Sequence, residues 1–325
     1  MSRLMMGFFV TVLVAGVSFG GPVNKSEISS TAKWAIHLDA EKFLASKIGR
    51  MFIDESANAD LKKGLDVLRA TIHFDPLKDV KSVTLYGDSY KKDGGVAVLK
   101  VRPNAEAANA VEKIIILSKT HEQISFGSRV IHKWIDEKKQ KPSVLCFYSP
   151  EVTVAGGDVN QVKVAIDLLD GKKDGGKDNT GVMMPDADGF IVACARKDEG
   201  KEGPANATVL KNAEWLTVFV RNTGENVDIE AKLGANSEEN AKQIEQMVRG
   251  IAAFLALSAE QNEAAADIGK ALSVNIDKCT VGVNFTYGAE QLYKLIKSHK
   301  RPNQKEGQQV PKPSGNASDG VSGNQ

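Results

Sequence analysis

The order of apolar and polar positions predicts short strands alternating with amphipathic helices. Residues 34–38 (WAIHL) alternate apolar and polar side chains, which predicts a strand. Apolar residues then recur at helical spacing over 43–52 and again from Asp60 to Ile72. The second helix is expected to end before Pro76, because a residue that precedes proline disfavours the helical conformation.

A hairpin followed by a helix is the next predicted unit. Residues 82–86 and 96–101 are β-rich runs separated by a polar loop, and Asn104 can cap the helix that follows. Further strands are expected near 124–135, 144–148 and 151–155, followed by a helix that Asp158 caps.

The second part of the chain has a similar pattern. A strand is predicted at 190–195, a hairpin at 215–220 and 227–233, and a helix after the capping-box pattern Asn236–Glu239. Its apolar stripe is expected to be Ala241, Ile244, Val248, Ile251 and Leu255. A helix near 259–271, strands 272–276 and 280–286, and a helix at 289–299 complete the prediction.

Two segments indicate an internal repeat. The segment KVRPNAEAANAVE from Lys100 aligns with KLGANSEENAKQIE from Lys232, and both connect a predicted hairpin to an apolar helix. The alternative is a common ββα arrangement reached twice. Either way, the pattern predicts an α+β fold made of two similar halves of antiparallel hairpins, each backed by amphipathic helices.

Changes in composition predict where the halves begin and end. The first half spans 33–170, a Gly- and Lys-rich bridge covers 171–181, and the second half spans 182–300. Residues 301–325 are rich in Gly, Pro, Ser, Asn and Gln, and we expect a disordered, dispensable tail.

The first 20 residues have the layout of a secretory signal peptide. Arg3 is followed by an apolar run from Leu4 to Val17, and Ser18 and Gly20 place small residues at the −3 and −1 positions of a cleavage site. The alternative is an uncleaved membrane anchor, but the apolar run is short for a span. We therefore expect an exported protein, periplasmic or extracellular, with no transmembrane span after cleavage.

Overall composition excludes several classes of protein. The chain has 325 residues, of which 42% are hydrophobic and 26% charged, with a formal net charge of +1. These values exclude a wholly disordered chain and a multi-span membrane protein. A nearly neutral chain also gives no electrostatic reason to expect nucleic acid as a partner.

The sequence shows no catalytic motif, so catalytic residues remain unknown at this stage. The G-x-S-x-G pattern at 16–20 lies in the signal peptide, and no phosphate-binding loop is found. The pair His37 and Asp39 is imaginable as a carboxylate–imidazole pair, although a half-exposed structural histidine is the simpler interpretation. The same interpretation applies to His132.

Metal and cofactor sites are not expected. His121 and Glu122 begin a zincin motif, but position 125 is serine, and the five histidines show no ligand spacing. The turn at 186–189 resembles a calcium loop, but Met184 stands where the first ligand belongs.

The cysteines allow two alternatives. Cys146, Cys194 and Cys279 are far apart and lie in apolar stretches. They form either three buried free thiols or one disulfide with a free thiol, and the sequence places no base beside any of them.

One segment carries a resemblance to a known group. Residues Phe74–Gly87 (FDPLKDVKSVTLYG) resemble the segment that leads into a hairpin in uncharacterised exported α+β proteins of the Planctomycetes type. The resemblance covers roughly residues 33–300 and implies export, with no assigned activity and no functional residues to carry over.

The leading hypothesis is therefore an exported cell-envelope protein that serves as a non-enzymatic binding or structural module, with an envelope protein as a possible partner. The alternatives are an extracytoplasmic hydrolase built from distant residues, such as His37 and Asp39, and a carrier of an apolar ligand.

Signal cleavage after Gly20 is the first testable prediction. The n-, h- and c-regions place the scissile bond between Gly20 and Gly21. N-terminal sequencing of the exported protein is expected to begin at Gly21. A sequence that begins at Met1 or Ser2 would contradict it.

Overall fold

A computed structural model of the protein describes residues 21–54, 59–91, 94–137, 140–173, 175, 189–197, 213–257 and 263–299. Helices and antiparallel strands occur together in one structure, which confirms the α+β class. The expected signal peptide, most of the bridge and the tail lie outside the described residues.

The described residues contain twelve strands in a single sheet. In chain order they are β1 (Trp34–Asp39), β2 (Val80–Gly87), β3 (Val96–Val101), β4 (Glu122–Phe126), β5 (Arg129–Asp136), β6 (Lys141–Ser149), β7 (Val152–Gly156), β8 (Ile191–Arg196), β9 (Ala213–Thr223), β10 (Asn226–Ala235), β11 (Leu272–Asp277) and β12 (Thr280–Gly288).

The helices of the described residues connect these strands. They are α1 (Ala40–Ala45), α2 (Lys47–Asp54), α3 (Ala59–Ile72), α4 (Pro76–Asp79), α5 (Ala105–Ile116), α6 (Val159–Leu169), α7 (Glu238–Leu257), α8 (Glu263–Ala271) and α9 (Ala289–His299). A short 3₁₀ helix, Lys25–Glu27, precedes β1.

Strand β1 joins the two halves of the sheet. The strand order is β11-β12-β10-β9-β8-β1-β2-β3-β7-β6-β5-β4, and every pairing is antiparallel. Ile36, for example, pairs with Leu85 of β2 on one side and with Ala193 of β8 on the other. The sheet therefore continues from one half into the other.

The two halves share one topology. In the first, β1-β2-β3 is followed by α5, and the last strand, β7, returns to pair with β3 before α6. In the second, β8-β9-β10 is followed by α7 and α8, and β12 returns to pair with β10 before α9. The hairpin β4–β5 is an addition to the first half, and each predicted ββα segment occupies the equivalent place in its half.

Side-chain alternation gives the sheet two different faces. On β1, Ala35, His37 and Asp39 point to one face, which we call the arm face, and the alternate residues Trp34, Ile36 and Leu38 point to the helix face. Helix α6 and residues 21–32 cover the arm face of the first half around Cys146, Val154 and Ile166, whereas the other long helices pack on the helix face.

The structure corrects two details of the sequence prediction. The segment predicted as one strand at 124–135 is the hairpin β4–β5, which turns at Gly127 with a φ of 60°. The helical pattern at 43–52 is divided at Ser46, whose hydroxyl donates to the Phe43 carbonyl. A Cβ at Gly49 would lie 1.9 Å from that carbonyl oxygen, so this break requires glycine.

Ile166 of α6 gives a test of the core. It is fully buried in the cluster under α6, whereas Ile116 of α5 is about half exposed. We expect Ile166→Ala to lower the free energy of unfolding by about 2–4 kcal/mol, because it leaves a cavity. The matched Ile116→Ala change is expected to stay within about 0.5 kcal/mol. Urea denaturation of both variants measures this, and equal effects would contradict the assigned core.

Candidate functional site

His37 and Asp39 lie side by side on β1 but serve separate structures. Asp39 caps helix α1, where its Oδ1 accepts a hydrogen bond of 2.9 Å from the backbone N–H of Lys42. His37 bonds instead to Thr84 and to the Gly21 carbonyl. No hydrogen bond joins the two side chains within the described residues, so the imagined carboxylate–imidazole pair is not formed.

His37 is buried, with only 3% of its surface exposed, which corrects the sequence interpretation of a half-exposed histidine. Its Nε2 lies 3.2 Å from the carbonyl oxygen of Gly21, and its Nδ1 lies 2.9 Å from the Thr84 hydroxyl. Since a carbonyl only accepts, Nε2 carries the proton, and the Thr84 hydroxyl donates to Nδ1. Both ring nitrogens are therefore occupied.

The protonation state of His37 follows from this burial. Desolvation lowers its pKa from 6.5 to about 4, and the charges of Lys100 and Lys42 act in the same direction. The Gly21 hydrogen bond and the Glu27 carboxylate oppose the shift only in part. His37 is thus neutral at pH 7.

Residues 21–32, which we call the N-terminal arm, seal His37 into the sheet. Ile28 and Ala32 are buried, and the Glu27 carboxylate lies 2.7 Å from Lys100 Nζ of β3. Ser29 forms an isolated β-bridge with Gly175. The local sequence alternation carried no sign of this cover, because the arm contacts residues far along the chain.

Tyr86 lies on the same face, two residues from Thr84. Its hydroxyl is buried and has no hydrogen-bond partner within the described part of the chain. Burial raises the pKa of this phenol, and the nearby Glu27 carboxylate adds to the shift. Tyr86 therefore remains neutral and supplies no base.

A second histidine pair was missed by the sequence analysis. His132 is buried rather than half exposed; its Nδ1 lies 3.1 Å from His121 Nε2, and its Nε2 lies 3.6 Å from a Glu112 oxygen of α5. The register of the β4–β5 hairpin, in which Gln123 faces His132, brings His121 close. Recognising the turn at Gly127 would have revealed the pair. Burial and the charge of His121 lower the pKa of His132, whereas Glu112 opposes this.

The cysteines are free thiols rather than a disulfide pair. Burial raises the pKa of Cys146 to about 11 and that of Cys194 to about 12. Since the thiolate is the reactive form, these two side chains behave as small apolar residues in the core. Cys279, at the turn between β11 and β12, is partly exposed.

Other searches of the described residues gave no site. Within those ranges, no group of three or more His, Cys, Asp or Glu side chains is arranged to hold a metal ion. The helices seen there also include none that is long and apolar enough to cross a membrane. Residues 186–188 of the calcium-like turn lie outside the described part.

Comparison with known proteins identifies no family. No family model and no curated protein sequence matches the chain. Among solved structures, crystal form III of TP0453 has a TM-score of 0.46 and 9% sequence identity, and the match covers 86% of this chain and 99% of that one. Crystal form I of TP0453 has a TM-score of 0.43 and 11% identity, over 86% and 98% of the two chains.

The burial of His37 predicts a pH-dependent stability. Its folded-state pKa lies below the unfolded value, so the unfolded chain binds more protons between about pH 4 and 6.5, and stability falls as the pH drops through this window. From this group we expect a loss of about 2 kcal/mol between pH 7 and pH 5.

Urea denaturation at both pH values measures this loss. The variant His37→Asn is the control, since it removes the titrating group, and its pH dependence is expected to be smaller by about the same amount. An equal pH dependence in the two proteins would show that His37 is not buried in neutral form.

Proposed function

We propose that this chain is an exported, non-enzymatic binding or structural module of the cell envelope. The signal-peptide layout and the resemblance to exported Planctomycetes-type proteins support export. The observation that carries the non-enzymatic part is the burial of the reactive side chains, which are all held in structural interactions.

Each candidate for catalysis lacks a property that catalysis requires. A general base needs a free lone pair and a pKa near the working pH, whereas both nitrogens of His37 are occupied and its pKa is about 4. A thiol nucleophile needs a lowered pKa, whereas burial raises those of Cys146 and Cys194. Asp39 is committed to its helix cap.

A platform of this shape suits a protein partner. On strands β9–β12 the arm face carries polar and charged side chains, among them Arg221, Glu230, Lys232 and Asn284. Acidic and basic groups are interspersed there, and Lys232 lies 2.9 Å from Glu230. Such a surface favours a partner with mixed charges over a nucleic acid.

Hydrolase activity against generic substrates tests the proposal against its enzymatic alternative. Wild type and His37→Asn are assayed with p-nitrophenyl esters, phosphates and glycosides. We expect equal background rates for both proteins. Turnover that disappears in His37→Asn would overturn the proposal and favour the hydrolase.

One observation favours a second function, the transport of an apolar ligand. Ile36 lies on β1, the sixth of the twelve strands, and points to the helix face, yet 41% of its surface is exposed. Its neighbours in register, Leu85 and Ala193, are only partly buried. The described helices therefore leave an apolar gap at this point, which an acyl or aromatic group fits.

Binding of the fluorescent probe N-phenyl-1-naphthylamine tests the carrier function. Saturable binding that a fatty acid displaces, and that Ile36→Asn weakens, would support it. Absence of saturable binding would remove the carrier and leave the binding module.

A further inference from the structure

Helix α7 changes its environment halfway along its length. In its first half Ala241 and Ile244 are fully buried against the sheet. In its second half Ile251, Phe254 and Leu257 are 49%, 74% and 85% exposed. The sequence analysis expected Ile251 to continue the buried stripe, and the structure shows otherwise.

The exposed side chains form one continuous surface. We define the α7 stripe as Met247, Gly250, Ile251, Phe254 and Leu257. At 100° per residue these positions lie within one third of the helix circumference. Helix α8 packs on the opposite side of α7, since a Cβ at Gly269 would lie 2.5 Å from the Ala252 oxygen and 2.4 Å from the Ala256 nitrogen.

Gly250 forms a notch in the α7 stripe. A Cβ at this position would have nothing within 4 Å, so no described neighbour requires glycine. Glycine in a helix interior destabilises the helix by about 1 kcal/mol relative to alanine. Phe254, one turn further on, projects from the same side of the helix. A cavity and a protrusion of similar width therefore lie side by side.

We propose that the α7 stripe binds the same stripe of a second copy, in an antiparallel crossing about a two-fold axis. In this arrangement Phe254 of each copy fills the Gly250 notch of the other. The same register pairs Met247 with Leu257 and Ile251 with Ala253, so large residues meet small or flexible ones throughout. A two-fold contact requires such self-complementarity.

Charge is compatible with this contact. Arg249 is the single charged residue between positions 247 and 257. Its guanidinium is bound to Glu245, at 2.9 Å, and to the carbonyl of Val274, at 2.7 Å. The pairing therefore brings no like charges together. The polar segment 301–325 offers almost no apolar residue that would cover the α7 stripe instead.

The size of the surface sets the expected strength. A contact made by one helix stripe is smaller than the roughly 800 Å² per partner of a stable interface. The dimer is therefore weak and forms in proportion to concentration. This inference goes beyond the proposed function and does not depend on it, because it concerns contact between copies rather than a partner.

Sedimentation velocity of the mature chain over a concentration series tests the proposal. The two decisive variants are Gly250→Phe, which fills the notch, and Phe254→Ala, which removes the protrusion. Each is expected to weaken self-association at least about tenfold, in the range of an interface hot spot. Leu117→Ala is the matched control, because Leu117 is 80% exposed at the end of α5 and outside the stripe.

An equimolar mixture of Gly250→Phe and Phe254→Ala gives the sharpest result. In the mixed pair, the phenylalanine introduced at position 250 faces the alanine introduced at position 254. The native Phe254 of the first variant faces the native Gly250 of the second, so each protrusion again meets a small residue. We expect the mixture to associate within about threefold of wild type, although neither variant associates alone. Circular dichroism of each variant confirms that it is folded.

Three outcomes would overturn the proposal. The first is a wild type that stays monomeric at the highest concentration. The second is a mixture that fails to associate. The third is stronger self-association of Gly250→Phe, since added apolar surface strengthens non-specific contacts. Flotation with phosphatidylcholine vesicles, enhanced by Gly250→Phe, would assign the α7 stripe to a lipid surface instead.

Discussion

The hydrogen-bond ladders on both sides of β1 are the interaction on which the rest of the structure depends. Residues 34–39 pair with β2, and 34–38 pair with β8, so this one strand connects both halves. Ala35 is fully buried between Tyr86 and Cys194. Because β1 comes first in the chain and lies in the middle of the sheet, the first half presents an unpaired edge at β1 until the second half is added.

The central position of β1 also explains the state of His37. A histidine on an edge strand would face water on one side, whereas here neighbouring strands flank it on both sides and the N-terminal arm covers it. Desolvation then favours the neutral ring, and the two bonds to Thr84 and Gly21 satisfy both nitrogens. The same arrangement that holds the arm in place therefore removes the histidine from acid–base chemistry.

Periodicity predicted the elements well, because strands and helices are local patterns. The hairpin β2–β3, the Asn104 cap and the two ββα segments all appear where the sequence placed them. What it could not predict depends on residues distant in the chain. The burial of His37 comes from the arm, and the contact of His121 with His132 comes from a turn hidden inside an unbroken apolar run.

The repeat itself shows why α7 departs from its predicted stripe. Helices α5 and α7 occupy equivalent places, but α5 has 12 residues and α7 has 20, a difference of 20 − 12 = 8. The first half of α7 matches the length that the sheet can cover, and the last eight residues, 250–257 (GIAAFLAL), extend beyond that.

These eight residues carry no charge, and they lie against α8 on one side only. A helix that merely needed solubility would have polar residues on its free side. Apolar residues with a glycine notch instead favour a specific contact. The extension therefore gives the second half of the repeat a surface that the first half does not have, at the end of the sheet that is farthest from the β4–β5 hairpin.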